Sequence, residues 1–281
     1  MFRVALVVCA FVASADIALG QPLEGRLKQI NDTKVVRLAY RSDSNPFSFL
    51  DQRSQPVGYT IDLCKLVVTS LERQLNSTLN VQWVAVTSQN RFDAIANDRA
   101  DMECGSSTVT LGRMKEVDFS SIIFVENTGV MVKAASRILR INDLKGKTIA
   151  VISGTTNERA LARELQRRQL DATLLRVASR TEGMAALEAG SADGFAGDKL
   201  LLSALQTGAP VVMLPEDLSV EPYAIVLPRG DWAFRLAVNT ALAEIYRSDK
   251  ILDIYAAWFS GLGLRPNVLI GAVYMLGALP D

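Results

Sequence analysis

The chain has 281 residues, 49% of them hydrophobic, with 30 basic and 30 acidic side chains and therefore no formal net charge. That length suits two domains of ordinary size, and the balanced charge gives no support to a nucleic-acid or membrane-surface partner reached through a basic field, so any positive charge that matters is local. Histidine is absent, which removes Ser-His-Asp and Cys-His catalysis and histidine-ligated metal, leaving acid–base chemistry to Asp, Glu, Lys, Tyr or Cys.

The N-terminus, MFRVALVVCAFVASADIALGQ, places one arginine before an apolar run from Val4 to about Val12, and small residues follow. The run is shorter than the ~20 residues a membrane span needs. Ala18-Leu19-Gly20 before Gln21 fits a small-x-small cleavage site, so residues 1–20 read as an export signal that takes Cys9 with it. An exported chain meets an oxidising compartment. The two remaining cysteines, Cys64 and Cys104, are then either buried free thiols or a disulfide, if their segments adjoin.

Strand and helix patterns alternate from about residue 34. Val35–Tyr40 is β-rich, and Tyr59–Leu75 carries Ile61, Leu63, Leu66, Val67 and Leu71 at helical spacing. Leu79–Val86 reads as a strand, Gln89–Asn97 as a helix, and Asp101–Cys104 as a very short strand followed by a polar loop and a helix starting near Thr110. Further on, Gly129–Lys133 and Thr148–Ile152 read as strands, Thr156–Gln169 as a helix and Thr173–Val177 as a strand. Gly183–Glu188 is helical, Gly194–Ala196 a strand, and a helix starts from Asp198. Val211–Leu214 and Ala224–Leu227 complete the β material, and the chain is helical after Gly230 to Phe259. The apolar tail Val268–Leu279 is too short to span a bilayer and is expected to dock on the body. Strands separated by ~10–15-residue helical patterns predict βαβ units and an α/β fold with parallel sheets.

In such sheets ligands sit beyond the carboxyl ends of strands, where loops meet helix N-termini. Arg41, Arg91, Arg113 and Arg180 all fall at these places, and an arginine fork pairs carboxylate bidentately in a way lysine does not. Hydroxyls accompany them: Ser88 before Arg91, Ser106 and Thr108 before Arg113, and Thr155-Thr156 at a helix start. Hydroxyls beside free N–H groups form anion nests, although ordinary N-capping accounts for Thr110 and in part for Ser153-Gly154-Thr155-Thr156. No G-x-x-x-x-G-K-[ST] phosphate loop and no G-x-S-x-G nucleophile turn is present. Asp198 either caps the helix it opens or faces a ligand ammonium group.

The strings PFSFLDQRSQPVGYTIDLC (46–64), VTSQNR (86–91), ECGSSTVTLGRMKEVDFS (103–120), DLKGKTIAVISGTTNE (143–158) and LEAG (187–190) with Asp198 together resemble family 3 periplasmic solute-binding proteins of ABC importers. VTSQNR with ECGSST is most similar to the glutamate/aspartate subgroup. The resemblance implies a two-lobed type II periplasmic binding fold, with two mixed or parallel sheets flanked by helices and a cleft between lobes. It places lobe 1 at 34–126 plus 225–265 and lobe 2 at 127–224, with crossings near 125–129 and 222–226 and a docked tail at 266–281.

It also implies roles. Arg113, with Thr108 and the Ser106 loop, would hold an amino acid's α-carboxylate, and Asp198 would accept its ammonium. Arg41, Ser88 and Arg91 would face the distal carboxylate, and the Thr155-Thr156 helix start would close from the other lobe. Arg180 stands where acidic-amino-acid binders carry histidine. Four arginines and Asp198 leave an excess of two positive charges around bound glutamate, to be offset by Glu103 or Glu182 or by one arginine pointing away, Arg180 foremost. The implied protein is a periplasmic monomer that binds glutamate or aspartate, with glutamine and asparagine as second choice. It would deliver its ligand to a membrane permease whose ATPase is a separate subunit, with no cofactor, no metal and no catalytic residue of its own. The rival readings are a dehydratase- or amidase-like enzyme using Glu103 or Glu182, and a sensor partner presenting its ligand to a receptor.

Overall fold

The computed structural model describes residues 23–205, 208–248 and 250–280; the expected signal at 1–20 lies outside them. The chain opens with α1 (Gly25–Thr33), a helix the sequence pattern does not announce because GRLKQINDT offers only Leu27 and Ile30 as apolar residues. Ile30 is fully buried, and the Arg26 backbone N–H donates to the Asp231 carboxylate at 2.7 Å, so tertiary contacts hold this helix.

β1 (Val35–Arg41) follows, then three short strands, β2 (Asp43–Ser44), β3 (Ser48–Leu50) and β4 (Pro56–Val57), which form a small antiparallel sheet of their own. Gly58 turns the chain into α2 (Tyr59–Leu75) with φ of 134°. A Cβ there would lie 2.3 Å from the Phe47 carbonyl oxygen, so the turn requires glycine. α2 buries Ile61, Leu63, Cys64, Val67 and Leu71, the stripe its sequence periodicity predicts. β5 (Asn80–Val86), α3 (Arg91–Ala96) and β6 (Met102–Glu103) come next. Cys64 of α2 and Cys104, just after β6, are joined in a disulfide with Cα atoms 6.3 Å apart, so the bridged alternative is the one adopted.

The second part of the chain contains β7 (Val117–Lys133), β8 (Thr148–Ile152), α4 (Thr156–Arg167), β9 (Thr173–Val177) and α5 (Arg180–Ala189). β10 (Gly194–Asp198), α6 (Lys199–Ser203), β11 (Val211–Met213) and β12 (Ser219–Pro228) follow, and α7 (Trp232–Arg247), α8 (Lys250–Phe259) and α9 (Val268–Gly277) close the chain. Among the described residues no helix is long and apolar enough to cross a membrane.

β1 runs parallel to β5 and β6, and β8 runs parallel to β9 and β10, giving the two parallel units that alternating βα patterning predicts. Between them β7 and β12 lie antiparallel, with register shifts at Tyr223/Ala224 and Ala224/Val226. The hydrogen-bonded order is therefore continuous: β5-β1-β6-β12-β7-β10-β8-β9, with β11 on β7. The two sheets expected from the resemblance are the two ends of this path. The sequence pattern finds only Gly129–Lys133 and Ala224–Leu227 because the rest of β7 and β12 carries Ser120, Glu126, Thr128, Glu221 and Pro222, which break apolar alternation. The helix expected near Thr110 is instead a single 3-10 turn, Arg113–Lys115, with the Thr110 hydroxyl accepting from the Arg113 N–H at 3.1 Å. The segment is too short to propagate a helix, and the chain enters β7 two residues later.

Two main cores flank the junction. One centres on Phe47, Tyr59, Phe124, Tyr223 and Phe259, with Phe47 edge-on to Phe124 at 4.9 Å and to Tyr223 at 5.2 Å. α9 docks here: Ile270 and Tyr274 are buried, and the Tyr274 hydroxyl lies 2.8 Å from that of Tyr59. The other core packs Val130, Val132, Ile149, Val151, Leu161 and Ala196 beneath α4.

Candidate functional site

The strand ends deliver the polar residues. β1 ends in Arg41 and β6 in Glu103, whose following loop carries Gly105, Ser106, Ser107 and Thr108. On the opposite side β8 leads into the Thr155-capped α4, β9 into Arg180 at the first position of α5, and β10 into Asp198. These two banks touch. The Arg180 guanidinium donates to the Ser44 hydroxyl (3.2 Å) and the Asp43 carbonyl (3.3 Å), and it lies 3.4 Å from the Asp43 carboxylate and 3.8 Å from that of Asp198. The Gln89 amide donates to the Ala178 carbonyl at 3.0 Å, and the Thr108 and Thr156 hydroxyls are 3.4 Å apart.

The arginines are buried: Arg41 is 2% exposed, Arg91 5% and Arg180 7%, with Arg113 half-buried. Arg41 donates to Asp43 at 2.6 Å, Arg91 to the Ser88 carbonyl at 3.1 Å, and Arg113 to the Thr108 carbonyl at 2.6 Å. Arg91 and Arg113 both lie 4.7 Å from the centre of the Phe92 ring, a shared cation–π platform that holds two like charges near one another. The Nε atoms of Arg41 and Arg91 are buried with no hydrogen-bond partner, and the buried Ser107 and Tyr223 hydroxyls make only loose contacts with Glu103 and Asp198. A cavity of about 720 Å³ opens at the seam, lined in part by Thr108, Arg113, Thr156, Arg159 and Glu221.

Several residues singled out in the sequence take other partners. The Thr155 hydroxyl accepts from the Glu158 N–H (3.2 Å) and donates to the Ile152 carbonyl (2.7 Å), so it caps α4 and only the helix-start N–H groups remain for an anion. The Ser88 hydroxyl donates to the Gln89 side chain at 3.2 Å, and its carbonyl is what meets Arg91. Ser106 is buried in its loop. Asp198 makes no capping bond to α6; it accepts from the Asn157 amide at 3.2 Å and faces Arg180. Arg180 does not point away, and Glu182 is exposed and accepts from the Ala178 N–H at 2.7 Å. Glu182 therefore offsets nothing in the cleft.

Glu103, the other offset expected, does face Arg91, Arg41 and Arg113, but two further counter-charges were missed. Asp43 lies between Arg41 and Arg180, and Glu221 accepts from the hydroxyls of Thr108 (2.7 Å), Thr128 (3.2 Å) and Ser219. Asp43, two residues after Arg41, was findable from its spacing; Glu221 meets Thr108 across 113 residues, and no local signal reveals it. Four arginines thus face Asp43, Glu103, Asp198 and Glu221, and the cluster is formally neutral when all are ionised.

Burial draws Arg41, Arg91 and Arg113 down to about 10, helped by Arg180, Arg113 and Arg159 respectively, and all three remain charged at neutral pH. Burial pushes Glu103 up against the opposing pull of Arg91, and pushes Asp198 up against that of Arg180. For Asp43 burial acts upward too, but Arg180 and Arg41 outweigh it and hold the carboxyl below its ordinary range. The site thus gathers four guanidinium groups with their own counter-charges built in.

Residues 36–261 match the family described as bacterial extracellular solute-binding proteins, family 3. The chain belongs to that family. Among its relatives is the L-glutamate/L-aspartate-binding protein of Pseudomonas aeruginosa, 34% identical over 262 residues, which span 90% of this chain and 85% of the relative. Another is the glutamate/aspartate import solute-binding protein of Escherichia coli, 30% identical over 263 residues, or 91% and 86% of the two chains. A solved structure of an ancestral amino-acid-binding protein, a precursor of cyclohexadienyl dehydratase, superposes with a TM-score of 0.72 at 26% identity, covering 83% of this chain and 98% of that one. As a family 3 solute-binding protein, the chain has the two-lobed α/β architecture that its strand order and seam contacts describe.

Proposed function

We propose that this protein captures glutamate or aspartate outside the cytoplasmic membrane and delivers it to the permease of an ABC-type importer. The observation that carries the reading is the pair of buried, unpartnered guanidinium donors at the seam, the Nε groups of Arg41 and Arg91. Buried polar groups are normally paired, and guanidinium donors of this kind are matched by carboxylate oxygens. Arg113 and the Thr108 loop would hold the α-carboxylate, Asp198 the ammonium, and Arg41 and Arg91 the distal carboxylate. The α4 start at Thr155-Thr156 would supply N–H groups, and Arg180 would close the cleft across Asp43 and Ser44.

In this reading 34–126 with 225–265 and 127–224 are the two lobes, moving about β7 and β12. Bound ligand favours the closed state through contacts to both. Residues 1–20 direct export and are removed after Gly20, leaving a periplasmic monomer that binds without turnover while a separate subunit hydrolyses ATP. An enzyme of dehydratase type is the second reading, supported by Glu103 in the cleft and by the ancestral likeness above.

Calorimetric titration with Glu, Asp, Gln, Asn and Arg tests both. The expected result is tight, stoichiometric binding of an acidic amino acid that Arg113→Ala abolishes. No acidic amino acid binding below about 100 μM, or an Arg113→Ala variant that binds like the parent, overturns the proposal. Turnover of an arogenate-like substrate establishes the enzyme instead.

A further inference from the structure

Glu103 has a setting unlike the other three carboxylates of the cleft. It sits at the end of β6 between β1, where its partner is Ala39, and β12, where its partner is Val226, and its side chain is 0% exposed. Arg91 of α3 faces it first, then the Ser107 hydroxyl of the following loop, Arg41 of β1 and Arg113 of the 3-10 turn. Neither carboxylate oxygen makes a well-formed hydrogen bond with an arginine, and the Ser107 hydroxyl is the neighbour placed to donate to it, in a loose geometry. The pocket is shaped to the carboxylate: a Cβ on Gly105 would fall 2.1 Å from Glu103 Oε1. Glu103 therefore offsets the arginines through space without occupying their N–H donors.

That arrangement has a consequence when a dicarboxylate enters. With all eight groups ionised the cluster is neutral, exposed Arg159 standing in water at the cavity rim beside Arg113, and an acidic amino acid brings two carboxylates and one ammonium. The closed, water-poor site would then hold a net negative charge, which is costly unless a proton accompanies the ligand. Asp43 is held ionised by hydrogen bonding to Arg41, Glu221 accepts three hydroxyls, and Asp198 accepts from Asn157 and faces Arg180. Protonating any of these disturbs bonds already made. Protonating Glu103 leaves these bonds in place; its one hydroxyl neighbour, Ser107, would turn from donating to the carboxylate to accepting from the carboxyl.

Resting on the function proposed above, we infer that Glu103 is a specificity-determining counter-charge that takes up one proton from solvent when an acidic amino acid binds. The ligand's carboxylates replace the Glu103 charge in front of Arg41, Arg91 and Arg113, and the proton keeps the closed cleft neutral. An amide ligand, carrying one charge fewer, calls for no such proton. Burial already pushes the Glu103 carboxyl upward, as the inference requires.

The test is titration of the mature protein with glutamate at neutral pH in buffers of different ionisation enthalpy, whose slope gives protons taken up per ligand. The expected values are close to one for glutamate, close to zero for glutamine, and close to zero for glutamate binding to Glu103→Gln. Glutamate affinity of the parent should tighten about tenfold for each pH unit lowered across the window between the free and bound Glu103 transitions, and that dependence should be lost in the variant. A zero slope for the parent, or an unchanged slope in Glu103→Gln, overturns the inference while leaving the binding function intact. Absence of any glutamate or aspartate binding overturns both. Should Glu103→Gln fail to fold, the infrared difference spectrum of the parent decides: a protonated-carboxyl band must appear on adding glutamate, and its absence rejects the assignment.

Discussion

Arg180→Ala removes the side chain that bridges the two banks of the cleft. Its guanidinium makes two hydrogen bonds across the seam, to the Ser44 hydroxyl at 3.2 Å and the Asp43 carbonyl at 3.3 Å, and an ion pair with Asp43 at 3.4 Å. A hydrogen bond involving a charged group contributes about 1.5–3 kcal/mol when well formed. These are long, and Asp43 keeps Arg41 at 2.6 Å after the truncation, so the pair together is worth about 2 kcal/mol. If the proposed lobes part along this seam, all of it belongs to the closed arrangement, because these contacts run between the two banks. Since 1.4 kcal/mol is a factor of ten, the glutamate Kd should rise about 30-fold. Arg180→Lys, keeping charge without the fork, should fall between parent and Ala. Calorimetry gives the Kd, thermal unfolding without ligand the stability, and small-angle scattering the closure on adding glutamate. A Kd within about threefold of the parent refutes the argument. So does a loss of affinity matched by an equal loss of unliganded stability, since the contact would then belong to a folded lobe.

Other outcomes follow from the same structure. The Cys64–Cys104 disulfide closes a 40-residue separation, which in the chain-entropy account stabilises by about 4 kcal/mol; the double Cys→Ala variant should lose an amount of this order in urea unfolding. Glu126 on β7 is raised from 4.5 to about 7, by burial first. A carboxyl held protonated in the folded state stabilises most at low pH, so this contribution is full below about 4.5 and lost as pH rises through about 7, a change of about 3 kcal/mol. Glu126→Gln should flatten that part of the stability profile between pH 4.5 and 8. Gly105→Ala should cost about 1–3 kcal/mol by overpacking, because its Cβ collides with Glu103 Oε1 at 2.1 Å. Adding Glu103→Ala should recover part of that cost, a coupling that a double-mutant cycle measures.

Where side chains repeat with the period of an element, the sequence was a sufficient guide. Ile61, Leu63, Val67 and Leu71 mark α2 to both its ends, and β8 and β9 are short apolar runs whose bounds the pattern also finds. The pattern fails where function intrudes on it. β7 and β12 carry Glu126, Thr128 and Glu221 toward the junction, so the two longest β contributions read as fragments. In the site the arginines were visible because arginine after a strand is chemically suggestive on its own. Their counter-charges were only partly so: Glu103 and Asp198 were named, but Glu221 reaches Thr108 only through the fold. The charge count correctly demanded partners for the arginines, but turning Arg180 aside was the wrong remedy: it sits between Asp43 and Asp198.

The irregular pairing of β7 with β12 bears on how much work a ligand has to do. Register slips at Tyr223/Ala224 and Ala224/Val226 leave the ladder locally incomplete where the chain passes from one half of the sheet to the other. A sheet that is already irregular there can change twist while breaking few bonds, so little elastic resistance would oppose the proposed lobe motion. The balance between open and shut would then be set by the few side chains that meet across the seam, Arg180 with Asp43, Gln89 with Ala178 and Thr108 with Thr156. Affinity in such a protein can be raised or lowered at the rim, leaving the residues that recognise the ligand as they are.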